Sequence, residues 1–263
     1  MTTGGPRGSA WVPISTVYRG GLAESWHLGA VAVATPEGRL VAAAGDAELA
    51  TYVRSAAKPF QILPLLLADG ERAFGLDDQD LALICASHGG RPEHAERAGA
   101  LLAKGGFSVD DLLCGAHAPF DKEAARALRS RGEEPSALHN NCSGKHAGML
   151  LAAKLLGLPT ENYVDPQHPL QRRILEQMAA LAQVPESAIG VGVDGCSVPS
   201  FHLPLAAAAR AYAALAAPRA DLRSRARRFA STTRTDRSAR VEPTVAALRQ
   251  EPPRLCVQRC EPV

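Results

Sequence analysis

All 23 glycines of this 263-residue chain lie at or before Gly195, and none occurs in residues 196–263. Glycine lets a backbone turn through left-handed conformations. The punctuation that a turn-rich fold needs is therefore confined to the earlier part of the chain. Lysine stops earlier still, at Lys154, whereas eleven arginines follow from Arg219 onward. "RSRARR" and "STTRTDRSAR" have neither helical nor strand periodicity and are expected to stay unpacked. The expected organisation is a folded region at 12–217 and an Arg-rich tail at 218–263. An Arg-, Ala- and Pro-rich end without Lys or Gly is what a high-GC gene yields when read in a shifted frame, so the tail is expected not to be an evolved sequence.

Within the folded region, "HLGAVAVAT", "PEGR" and "LVAAAG" read as a β-hairpin turning at Pro36–Arg39. Helical periodicity follows Lys58 and recurs over "PEHAERAGALLAKGG", "KHAGMLLAAKLLG" and "PLQRRILEQMAALAQ", the first two of these stopped by Gly105 and Gly157. "DLALICAS" and "AIGVGVDGC" read as buried strands feeding Gly-rich loops. Mixed strands and helices predict an α/β or α+β fold.

A 46% hydrophobic chain of this length can bury a sizeable core. Its formal charge of +2 gives no net pull toward nucleic acid or anionic lipid. The tail could serve as a basic arm, but it lacks the aromatic or helical organisation such arms use. Neither a secretory leader nor a run of about 18 apolar residues is found, which places the chain in the cytoplasm, away from membranes. Six cysteines are too sparse for a disulfide scaffold, so reduced thiols are expected.

Four stretches could carry chemistry. In "RSAAKPFQ", Ser55 precedes Lys58 by three residues at the start of a helix. Lysine is a useless base near its free pKa of ~10.4, but desolvation or a neighbouring cation can lower that value until the amine takes a hydroxyl proton. Read alone, a Ser helix cap and a surface Lys are the stronger reading. "CASHGG" places Ser87 between an apolar run and two glycines, where free N–H groups could bind an oxyanion or where a strand merely ends. In "HNNCSGKHAGML", Cys142 lies at a helix N-terminus with Lys145 and His146 at i+3 and i+4, a setting that favours thiolate. "GVDGCSVPS" supplies Asp194 and Cys196. Cys142 and Cys196 could meet as zinc ligands with Lys145 or His146 nearby, although their spacing does not show it.

Together with "RGGLAESWHLGAVAV", these stretches resemble, in order and over roughly residues 17–217, the L-asparaginase family typified by the Rhizobium etli enzyme (asparaginase II). The resemblance implies a fold like serine β-lactamases and penicillin-binding proteins, with a central sheet flanked by helices. It also implies a homodimer and hydrolysis of L-asparagine to L-aspartate and ammonia. Ser55 would be the nucleophile, Lys58 its base and Ser87 a second catalytic serine. Cys142, Lys145 and Cys196 would hold zinc, while His146 and Asp194 would lie near substrate, with Arg54 beside the nucleophile. One departure stands out. The family pairs Ser87 with a second lysine late in the chain, and no Lys follows Lys154. Members also run on beyond this length, so a sheet incomplete at its C-terminus and an inactive truncated enzyme are expected as well. The alternatives are a glutaminase or β-lactamase-like serine amidase, and a non-catalytic zinc-binding module. Asn and Gln differ by one methylene, which pockets discriminate only modestly.

Overall fold

The computed structural model describes residues 10–217 and the backbone of Cys256–Gln258. The reading of the tail as a frame-shifted or unpacked segment falls outside the described residues, apart from that short strand. The chain begins with strands β1 (Val12–Arg19), β2 (Leu22–Gly29), β3 (Val31–Ala34), β4 (Leu40–Ala44) and β5 (Ala50–Tyr52). A 3₁₀ turn at Arg54–Ala57 leads into α1 (Lys58–Gln61), α2 (Leu63–Leu67), α3 (Gly70–Phe74), α4 (Asp78–Cys85) and α5 (Pro92–Lys104). Then come α6 (Lys122–Ser130), α7 (Ser143–Leu155), α8 (Pro169–Ala182), β6 (Gly190–Val193), β7 (Pro199–Pro204), α9 (Leu205–Ala216) and β8 (Cys256–Gln258).

Helices and strands are mixed, as an α/β fold requires, but the strands fall into three small sheets. Their orders are β2-β1-β8, β3-β4 and β5-β7-β6. The β3-β4 hairpin turns where expected, closed by the Thr35 N–H···O=C Arg39 bond with Gly38 at φ +92°. Antiparallel β7 pairs with both β5 and β6. This brings the end of β5, which runs into Arg54 and Ser55, close to the loop that follows β6 and carries Asp194.

The core is helical. Every residue of α7 from Ser143 to Ala153 is buried, as expected of a helix packed all round. α4, α5 and α8 pack against it. α5 and α7 stop at or beside the expected glycines. The helix expected after Lys58 breaks at Ile62, because Pro64 has no N–H to give to the carbonyl four residues earlier.

The apolar run "DLALICAS" corrects the sequence reading. It forms helix α4, not a strand. Asp77 caps it by accepting from Asp80 N–H at 2.7 Å, and the Asp80 carboxylate accepts from Asp77 N–H in return. Asp80 itself is buried and paired with Arg97 at 2.7 Å and Lys104 at 2.9 Å, tying α4 to α5. None of the helices among the described residues is long and apolar enough to cross a membrane.

Candidate active site

Lys58 opens α1 with its side chain turned into the core, only 1% exposed. Its Nζ lies 2.9 Å from Ser87 Oγ, 2.9 Å from the Ala86 carbonyl and 3.1 Å from the Asn141 carbonyl. Burial holds its pKa below the ordinary lysine value, opposed in part by the Cys142 thiol beside it. An ammonium has three N–H groups, and here each has an acceptor. When one proton leaves, the two carbonyls, which can only accept, keep the remaining N–H groups. The lone pair then faces the one partner able to donate, the Ser87 hydroxyl.

Ser87 and Lys58 are thus brought together, and the pairing differs from the one expected between Ser55 and Lys58. Ser55 sits exposed in the 3₁₀ turn, where its carbonyl accepts from the Lys58 backbone N–H and its side chain caps nothing. The physical reason is that Lys58 points inward under the 86–90 loop while the turn carrying Ser55 stays at the surface. Tyr212 of α9 steadies that turn by donating to the Ala56 carbonyl. Arg54, at φ +47°, reaches across to Asp194 with a two-pronged ion pair of 2.7 and 3.1 Å. Tyr52, Arg54, Gly192, Asp194 and Ser200 line a cavity of about 300 Å³ around that pair. A larger cleft of about 820 Å³, between α4 and α5, opens at Ser87.

Below Lys58 lies a second cluster. Cys142 occupies the N-cap of α7, positioned by its N–H donating to Asn140 Oδ1 at 2.9 Å. Lys145 Nζ lies 3.0 Å from Cys196 Sγ. The hydrogen bond with Cys142 above all, with the Lys145 amine 3.0 Å away, holds the Cys196 thiol far below its usual range. Giving that hydrogen bond, together with burial, pushes Cys142 up. The helix N-terminus alone favours thiolate at Cys142, whereas in the fold the hydrogen bond to Cys196 and burial act the other way. Cys85, Cys114, Cys142 and Cys196 are all free thiols.

His146 is fully buried, with Nδ1 2.7 Å from the Tyr163 hydroxyl. Burial lowers its pKa to about 4. Its Nε2 has no partner of normal hydrogen-bond geometry. The structure therefore places His146 in the interior, beside the thiol cluster. Among the described residues no three His, Cys, Asp or Glu side chains are grouped to hold a metal. Two sulfurs and the Lys145 amine nevertheless converge, and the unsatisfied His146 Nε2 lies beside them. Soft sulfur with nitrogen is the donor set that suits zinc, provided Lys145 loses its proton.

The sequence reading missed Asn140, Asn141 and Tyr163 as parts of this site. An Asx signal two residues before Cys142 could have revealed Asn140. Asn141 acts through its backbone carbonyl, which leaves no side-chain signature, and Tyr163 acts through a hydroxyl that only the fold brings to His146.

The family model for L-asparaginase II matches residues 15–253. The chain belongs to the L-asparaginase II family. The matched region spans the Lys58–Ser87 pair, the thiol cluster and the greater part of the Arg-rich segment. Membership supports an asparaginase-type amidohydrolase, the family being one that acts on a small-molecule amide. A comparison with curated proteins found no match.

Proposed function

We propose that this L-asparaginase II family member hydrolyses L-asparagine to L-aspartate and ammonia through a serine activated by Lys58. The observation that carries the reading is the buried Lys58 amine, lowered in pKa and 2.9 Å from Ser87 Oγ. Neutral Lys58 takes the serine proton as Oγ attacks the side-chain amide carbonyl. The resulting ammonium returns a proton to the departing nitrogen, and ammonia leaves an acyl ester. Water then gives its proton to Lys58 and attacks the ester, and Lys58 returns that proton to the leaving serine Oγ as aspartate is released. Near Ser87, the Gly89 backbone N–H is a candidate donor to the developing oxyanion, the Gly90 N–H being engaged by His88.

A second arrangement is favoured by the position of Ser55 beside Arg54 and the cavity at Asp194. In it Ser55 attacks and Ser87 relays its proton to Lys58, with Arg54 and Asp194 receiving the carboxylate and ammonium of the substrate. Cys142, Lys145 and Cys196 would hold zinc, whose positive charge would help orient substrate. A β-lactamase-like fold, a homodimer and a cytoplasmic setting complete the proposal.

Purified protein should release ammonia from L-asparagine. Ser55→Ala and Ser87→Ala should identify the nucleophile, the essential serine also being the one that carries the acyl group by mass spectrometry. Turnover of L-glutamine or a β-lactam in preference to L-asparagine would overturn the substrate assignment. Silence here, with activity in a version extended to supply a C-terminal lysine, would confine the reaction to longer members.

A further inference from the structure

His88 follows Ser87 directly, yet it is buried while Ser87 is exposed. Its ring bridges two segments. Gly90 N–H donates to Nδ1 at 3.2 Å, and Nε2 lies 3.0 Å from Ser143 Oγ at the start of α7. Since Nδ1 is an acceptor, the neutral ring carries its proton on Nε2, and that proton goes to Ser143. Ser143 passes its own hydroxyl proton to the Leu138 carbonyl at 2.9 Å. Every donor has one acceptor, so the tautomer and both rotamers are determined.

The main chain around this ring is equally constrained. His88 N–H donates to the Asn141 carbonyl, the same oxygen that accepts from Lys58. The Gly89 carbonyl accepts from Asp121 N–H at 2.9 Å. Gly90, at φ +73°, packs so tightly that a Cβ would lie 2.7 Å from the His139 carbonyl. The segment bearing Ser87 is therefore held on both sides, and the imidazole ties its side-chain layer to α7.

We infer that His88 is a positioning residue: its imidazole rivets the Ser87 loop to the N-terminus of α7 and so sets the distance between Ser87 Oγ and Lys58 Nζ. The inference rests on the amidohydrolase reading for its kinetic consequence, though not for its structural one. A hydrogen-bond contact for proton transfer tolerates little displacement, and an error of about 1 Å costs on the order of 100-fold in rate.

Two conservative variants separate the ring's two bonds. His88→Gln can still place an amide N–H near Ser143, whereas His88→Asn keeps an oxygen for Gly90 N–H but falls short of Ser143. The test measures kcat and KM for L-asparagine alongside amide hydrogen exchange of the 86–90 segment and Tm. His88→Asn should lower kcat by about 10- to 100-fold, with KM within about twofold, and speed exchange at 86–90. His88→Gln should stay within about threefold of wild type in kcat and keep the exchange protection. Wild-type kcat and exchange in His88→Asn would overturn the inference, as would equal losses in both variants that simply follow Tm. If the wild-type protein hydrolyses no amide, the functional proposal falls, and exchange at 86–90 in the two variants still decides the role of His88.

Discussion

Burying an ammonium is costly, and at Lys58 three acceptors offset that cost. Lys58→Met should lower kcat/KM by about 10²- to 10⁴-fold, the range for losing a general base. Because the Ala86 carbonyl loses a donor, the same variant should be less stable by about 1–3 kcal/mol. Lys58→Arg should be as inactive, since a guanidinium does not deprotonate. Steady-state kinetics with urea titration separates the two effects. Wild-type rates in Lys58→Met would remove lysine from the mechanism.

The two buried histidines make stability depend on pH. His146 and His88 both have pKa values of about 4 in the fold against an ordinary 6.5, each chiefly through burial. Below pH 6.5 the unfolded chain binds protons that the fold refuses. The unfolding free energy should therefore fall as pH drops from about 6.5 to about 4, and this contribution levels off below that. Urea midpoints at pH 7 and pH 4.5 check the direction. His88→Gln should show a shallower decline, and an unchanged slope would mean that His88 is not held neutral.

Among the elements, α4 and α7 approach closely because Gly144 and Gly148 face the partner helix. A Cβ at Gly144 would lie 2.6 Å from the Leu83 carbonyl, which is backbone. At Gly148 the obstacles are the Ile84 and Ile62 side chains, at 2.6 and 2.7 Å. Side chains can shift and a carbonyl can do so only by moving α4. Gly144→Ala should thus cost more than Gly148→Ala, with the latter near the 1–3 kcal/mol typical of overpacking. Denaturant midpoints rank them, and a reversed order would mean that α4 slides readily on α7. Because α4 leads into the Ser87 loop and α7 is capped by Cys142, Gly144→Ala should also reduce activity.

Legibility differed by element for a physical reason. The β3-β4 hairpin and helices α5, α7 and α8 follow from contacts within a few residues, which sequence periodicity and glycine stops record. Helix α4 was misread because an unbroken apolar run fits either a buried strand or a helix buried on several sides. Asp77 and Asp80, three apart, were the local signal that could have decided for helix. β5 and β7 were not read as strands at all. β5 is only three residues long and is paired from far along the chain.

For the whole molecule, the thiol cluster joins the start of α7 to the loop after β6. Zinc binding there would favour the folded state over the unfolded one. Adding zinc should raise Tm by several degrees in the wild-type chain and leave Cys196→Ser unmoved, read by thermal denaturation and by metal content. An equal response in both proteins would place any zinc elsewhere.

The motif segments, the hairpin, the helix stops and the candidacy of Ser55, Lys58, Ser87, Cys142, Lys145 and Cys196 were all present in the order of amino acids, because short-range spacing and residue chemistry suffice to mark them. Tertiary structure alone decided that Lys58 meets Ser87, twenty-nine residues away, that the Cys196 thiol is held low beside Cys142 and that His146 faces the interior. Those outcomes depend on which distant segments exclude water from one another, and desolvation and hydrogen-bond partners are properties of the packed chain.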